Sequence, residues 1–184
     1  MIENNISQSS FLLELIKGRR AIRNFQKKKE ISLDDMKKIL EAGIWAPSGS
    51  NLQSWEFILI KDPQTILKIK LVSPGLFSNP DSLVVLCVNK SKAERGGKLG
   101  IEMAVMDLAM AAQNMMLMAY SLGIGSCPIA SFNKIAIKQI LNIPNNVDII
   151  LILTFGYPQT WPKAPPRKPI KEVVFYDKYG RNIE

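Results

Sequence analysis

Residues 99–122 are apolar almost all the way round a helix, and that one segment narrows the possible folds more than any other. It is rich in Met and Ala, and Gly123 follows it as a stop signal. A stretch of this length could cross a bilayer. Glu102, Asp107, Gln113 and Asn114 argue against that, because each polar group would be costly in lipid. The segment predicts instead a helix buried on most faces, part of it against another subunit. Its methionines read as packing filler rather than as a cofactor box.

Such a helix needs apolar layers to pack on, and the chain supplies them. Residues 82–89 and 147–155 are nearly unbroken apolar runs, the pattern of strands buried on both faces. Residues 55–61 read as a further strand, and 128–132 as a short extended segment. Helix signals lie between them. Ser9 or Ser10 would cap a first helix running to about Lys17, and Ser32 with Asp35 forms a capping box opening a second to about Gly43. Asp62-Pro63 supplies a cap and a first-turn proline for a third, and residues 134–141 form another. After Pro158 the prolines forbid regular helix before Ile170, and 173–176 would then pair as an edge strand. Alternating strands and helices predict an α+β sandwich with a mixed sheet covered by helices.

At 184 residues the chain reads as one domain over 1–184, with 47% hydrophobic residues, enough for a core of its own. The formal charge of +8 invites a nucleic-acid reading, but the basic residues are dispersed. The one dense run, Lys27-Lys28-Lys29, has no interleaved aromatics, so it reads as solvated surface and no nucleic-acid partner is expected. Histidine is absent and the two cysteines, Cys87 and Cys127, are far apart, which disfavours a zinc site and a disulfide. The N-terminus does not read as a signal peptide, so a cytoplasmic protein without a membrane partner is expected.

Two segments carry chemistry. In Ala46-Pro47-Ser48-Gly49-Ser50-Asn51-Leu52-Gln53-Ser54-Trp55-Glu56-Phe57 a polar loop is pinned between a helix and a strand, able to aim Ser48, Ser50, Asn51 and Gln53 at one ligand. In Arg19-Arg20-Ala21-Ile22-Arg23-Asn24-Phe25 three guanidinium groups fall within five residues. Arginine suits phosphate because its planar fork donates paired hydrogen bonds and keeps its charge. If this segment is extended, Arg19, Ala21 and Arg23 share one face, with Ile22 and Phe25 available as anchors.

Together these segments resemble the nitroreductase family of FMN-dependent oxidoreductases, whose patterns Arg-Arg-Ser-Ile/Val-Arg-x-Phe and Ala-Pro-Ser-x-x-Asn-x-Gln-Pro-Trp-x-Phe they match. The similarity continues through Gln113-Asn114-Met115-Met116-Leu117, Ser121-Leu122-Gly123-Ile124-Gly125-Ser126-Cys127, Phe155-Gly156-Tyr157-Pro158 and Pro166-Arg167-Lys168-Pro169, in order along nearly the whole chain. The resemblance implies an α-β-α sandwich with a mixed, mainly antiparallel sheet, built as an intertwined homodimer whose C-terminal tail wraps over the neighbour. It implies FMN as cofactor, its phosphate held by Arg19, Arg20 and Arg167, with Lys168 adjoining. Arg23 would face the N1 and O2 edge of the ring, and backbone amides of Pro128, Ile129, Ala130 and Ser131 would approach N5 and O4. Pro47, Ser48, Ser50, Asn51 and Gln53 would reach the cofactor from the other subunit. NADH or NADPH would deliver a hydride to N5, and an electron-poor acceptor such as a nitroaromatic or quinone would collect it in a ping-pong cycle. No protein residue is nominated as catalytic acid.

Two positions depart from the family pattern. Ala21 stands where a serine is usual, which removes a hydroxyl worth about 1 kcal/mol of cofactor affinity. Ser54 stands where proline is usual, leaving that turn less rigid. Two alternatives follow: an FMN-binding storage or sensor protein without turnover, or a relative with dehalogenase- or desaturase-type flavin chemistry.

Overall fold

The computed structural model describes residues 2–27 and 29–183, with side chains from residue 8 onward; Lys28 of the basic run lies outside the described residues. Four strands form one sheet in the order β1-β2-β4-β3: β1 (Trp55–Ile60), β2 (Ser82–Asn89), β3 (Gly125–Ile129) and β4 (Val147–Gly156). All three ladders are antiparallel, and the parallel component of the expected mixed sheet is a single bridge between Ala21 and Ser126. The two central strands are those whose sequences are continuously apolar, as burial on both faces requires.

Alternation along β2 divides the core. Val84, Leu86 and Val88 face one cluster, which includes Met36 and Ile39 from α2 (Leu33–Ile44) and Leu108, Ala111 and Met115 from α5 (Gly97–Ser121). Leu83, Val85 and Cys87 face the other, with Ile66 and Ile69 from α3 (Pro63–Leu71) and Ile137 from α6 (Lys134–Leu141). The period of two along a strand thus yields the helix–sheet–helix layering. A one-turn α4 (Lys90–Ala93) follows β2.

Local signals account for most boundaries. The Ser32 hydroxyl accepts the Asp35 N–H at 3.0 Å and opens α2, while Asp62 accepts the Thr65 N–H at 2.8 Å with Pro63 in the first turn of α3. Three expectations are corrected. Helix α1 (Ile2–Gly18) is already under way before Ser9 and Ser10, so neither caps it; a serine sits inside a helix at small cost. The extended segment after α5 begins three residues earlier than expected, because Gly125, Ser126 and Cys127 pair with Gly156, Phe155 and Thr154. Residues 173–176 do not form an edge strand. The tail makes one turn of helix, α7 (Ile170–Val173), then folds back on itself through a Phe175–Asn182 bridge, with Asp177 and Gly180 left-handed in the turn.

Candidate functional site

The arginine segment leaves α1 and lies extended along the end of the sheet. Ile22 donates its N–H to Ser126 C=O at 2.9 Å, Gln26 donates to Tyr157 C=O at 2.7 Å, and Gln159 donates to Asn24 C=O at 3.0 Å. Ile22 and Phe25 are buried, as anchors should be, and two glycines receive them. A Cβ on Gly156 would lie 2.7 Å from Phe25 Cδ1, and Gly125 is as tight against Ile22. The backbone is therefore fixed by packing on one side, leaving Arg19 half-buried and Arg23 exposed.

Arg19 sits among like charges. Burial holds its guanidinium below the ordinary range, and the positive charges of Arg20 and then Arg167 push it the same way. Among the described residues Arg19, Arg20, Arg23 and Arg167 form no ion pair with a carboxylate. Arg20 donates from Nη1 to the carbonyls of Lys17, at 2.6 Å, and Arg19, at 2.9 Å, closing the end of α1, while its buried Nε has no partner among the described residues. Arg167 comes from the proline-rich tail, close enough for its charge to be felt at Arg19; Lys168 beside it is exposed. Burial raises the Cys127 thiol, and Arg23 and Arg19 both oppose that rise, which places the two guanidiniums near the same point of β3. Uncompensated cations gathered this closely are suited to a multiply charged anion.

Beyond that point β3 is an edge strand whose outer side is open. Pro128 costs no ladder hydrogen bond there: it lies two residues beyond Ser126, whose C=O faces Ile22, so its nitrogen points to the same outer side, away from β4. Ile129 is buried, whereas Pro128, Ala130 and Ser131 are exposed, and Ser131 C=O accepts the Gly75 N–H at 3.1 Å. The backbone of these four residues is thus held in place beside the arginine segment.

The polar loop is strained. Ser50, Asn51 and Gln53 take φ values of 51°, 54° and 47°, left-handed conformations that cost non-glycine residues about 1–3 kcal/mol each. The Ser48 hydroxyl accepts the Gln53 N–H at 3.1 Å, and Gln53 Nε2 donates to Asn51 Oδ1 at 3.1 Å. Ser54 is buried and its carbonyl accepts the Asn89 N–H at 2.8 Å. The result presents Pro47, Ser50, Asn51 and Gln53 to solvent, with Ser48 half-buried. Below the loop, the buried carboxylate of Asp107 accepts the Gly49 N–H at 3.2 and 3.3 Å. Sequence reasoning counted Asp107 only among the polar residues of the long helix and missed its role; its signal was an acid on the helix face that is buried, where Glu102 is exposed.

Within the chain the two halves are separated. The loop rests on Asp107, whereas Gly18, at the start of the arginine segment, packs on Tyr120 of the same helix. Thirteen residues at 1.5 Å each put those contacts roughly 20 Å apart. Gln113 and Asn114 between them are half-buried, and Asn114 lines an apolar cleft of about 380 Å³ with Leu12, Leu15, Trp45 and Leu117. A wider cleft of about 670 Å³ holds none of the expected residues. Three of its lysines are already engaged, Lys61 with Asp81 at 3.3 Å, Lys29 over the Tyr157 ring at 3.8 Å and Lys70 with Asn79 Oδ1. Among the described residues no cluster of acids and cysteines could hold a metal ion, and no helix is long and apolar enough to cross a membrane.

Comparison with known proteins bears on this arrangement. The sequence model of the Nitroreductase family matches residues 16–82 and 76–157. A protein of Archaeoglobus fulgidus, whose proposed assignment is NADH dehydrogenase/NAD(P)H nitroreductase, is 31% identical over 153 residues, spanning 80% of this chain and 85% of its own. The structure of NfrA1 from B. megaterium superposes with a TM-score of 0.84 at 26% identity, over 93% of this chain and 76% of that one. An FMN-dependent nitroreductase from Clostridium difficile R20291 superposes with a TM-score of 0.79 at 24% identity, over 91% of this chain and 99% of that one. Fold, motif order and sequence similarity agree, and the chain belongs to the nitroreductase family.

Proposed function

We propose that this oxidoreductase binds FMN and, as a homodimer, passes reducing equivalents from NADH or NADPH to an electron-poor acceptor of nitroaromatic or quinone type. The cluster of Arg19, Arg20 and Arg167 carries the reading, because three guanidiniums gather there without a carboxylate. A phosphate monoester with close to two negative charges fits it: the anion would offset the like-charge repulsion at Arg19 and offer an acceptor to the orphaned Arg20 Nε. Lys168 adds a further cation within reach of the solvent side.

When bound, FMN would supply the two-electron centre that takes hydride from the nicotinamide and gives it to the acceptor. The chain's own residues would bind and orient. Arg23, opposite the anchored face, would set a fixed positive charge beside the ring's pyrimidine edge and favour its reduced form. The backbone of Pro128, Ile129, Ala130 and Ser131, held on the open side of β3, would position the reacting edge. Pro47, Ser48, Ser50, Asn51 and Gln53 of a second copy would close the site, which accords with the separation of the two halves along α5. One shelf serving donor and acceptor in turn implies ping-pong kinetics. With no histidine in the chain, protons for the acceptor would come from water or from the cofactor itself, and no protein general acid is nominated.

The test is the visible spectrum of the purified protein, titrated anaerobically with NADH or NADPH and then with a nitroaromatic. Loss and return of the flavin band is the expected result. A flavin band that neither nucleotide bleaches would favour an FMN store or sensor, the alternative that the missing hydroxyl at Ala21 keeps open. A protein that cannot be loaded with FMN would overturn both.

A further inference from the structure

We infer that Asp107 is a positioning residue: its carboxylate, set in the apolar α5 helix, anchors the Gly49 N–H and so holds the Ser50–Asn51–Gln53 loop in its left-handed, cofactor-facing form. The inference rests on the FMN reading above for what the loop serves, but not for the anchor itself.

A carboxylate in an apolar environment is costly unless paired, and Asp107 is 2% exposed. No cation pairs with it among the described residues. Its neighbours on α5 are Leu108, Ala104 and Ala111, all buried, so a leucine or methionine would suit the helix better on packing grounds alone. Stability of α5 therefore does not explain an acid there. Both of its oxygens instead face one backbone donor, Gly49 N–H, at the start of the one-turn 3-10 helix Gly49–Asn51.

Position 49 is fitted to the contact. A Cβ on Gly49 would lie 3.2 Å from Met103 Sδ, so glycine lets the loop settle onto α5. The preceding residue, Ser48, is extended, and the two that follow Gly49 are left-handed without being glycine. Such conformations persist only where the surroundings over-determine them. Ser48 Oγ and the Gln53–Asn51 bond tie the loop to itself; Leu52 packs it against Gly96 and Gly100, and Asp107 hydrogen-bonds its backbone to α5.

The experiment is amide hydrogen exchange on the full-length protein, with and without FMN, together with FMN dissociation constants from flavin fluorescence. Asp107→Ala should speed exchange across residues 49–53 by about tenfold and weaken FMN by a similar factor. Asp107→Asn, which keeps one acceptor oxygen, should recover most of both. Should the alanine variant not fold, Gly49→Pro removes the donor from the loop side and should reproduce the faster exchange. Unchanged exchange in Asp107→Ala, or in Gly49→Pro should the alanine variant not fold, overturns the anchor. Faster exchange with unchanged FMN affinity upholds the anchor and instead overturns the loop's place at the cofactor.

Discussion

Gly125 and Ile22 touch so closely that no side chain fits between them: a Cβ on Gly125 would lie 2.7 Å from Ile22 Cγ1 and 2.8 Å from Ile22 Cβ. Ile22 is buried and cannot move aside, since its own N–H is bonded to Ser126 C=O. The contact fixes the position of Arg19, Ala21 and Arg23 relative to β3. Gly125→Ala should therefore cost about 1–3 kcal/mol of stability through overpacking. It should also weaken FMN, since the arginines ride on the displaced segment. Chemical denaturation and an FMN titration of the same variant check both, and a stable variant with parental affinity would contradict the contact's role.

Arg19 and Arg167 come from opposite ends of the chain, and the charge of Arg167 is felt at Arg19. Each charge-assisted hydrogen bond to a phosphate contributes about 1.5–3 kcal/mol, so Arg19→Ala and Arg167→Ala should each weaken FMN by at least tenfold. Removing one cation also relieves repulsion on the other. The FMN-free forms of these variants should accordingly be no less stable than the FMN-free parent, while the FMN-dependent rise in melting temperature shrinks. Riboflavin, which lacks the phosphate, should bind parent and variants alike, and a parallel loss for riboflavin would refute a phosphate role.

Much of this fold was legible in the sequence because its signals are local. The apolar runs of β2 and β4, the Ser32 and Asp62 caps, and the Gly123 stop each act within a few residues. What escaped was set by distant partners. The start of β3 depends on Ile22 filling the space above Gly125, about a hundred residues earlier in the chain, and no local pattern announces it. The alternation of Arg19, Ala21 and Arg23 was readable as an extended face, but Arg20's turn back onto the Lys17 and Arg19 carbonyls was not. Asp107 was visible only as an anomaly until the loop was seen resting on it.

Both cysteines should be inert toward thiol reagents in the folded protein. Cys87 is buried in the central strand, and burial pushes its thiol up to about 12; burial also raises Cys127. The sign of the pH dependence follows. An unfolded cysteine ionises near 9, whereas the folded Cys87 keeps its proton to about 12, so above pH 9 the unfolded state binds fewer protons than the folded one. Stability should then fall as pH rises from about 9 toward 12, and Cys87→Ala should flatten that slope. Denaturant midpoints across that range measure it, and rapid labelling of the native protein at pH 8 would contradict the burial.

The exposed face of α5 predicts its own cover. Leu99, Val105 and Met106 are 64%, 47% and 54% exposed, and Met110 continues the row one turn on. Trp45, at the end of α2, is 80% exposed. A contiguous apolar face of this kind marks an association surface. The second copy proposed above is the expected occupant, since the loop over Asp107, near the middle of α5, and the arginines near Tyr120, at its end, lie roughly 20 Å apart. Met106→Glu would bury an unpaired charge in that interface, and the expected result is a monomer by sedimentation, because an uncompensated charge costs several kcal/mol. FMN should be lost with the partner even though every arginine remains in place. A Met106→Glu monomer that still binds FMN at parental affinity would show that one chain suffices for the site.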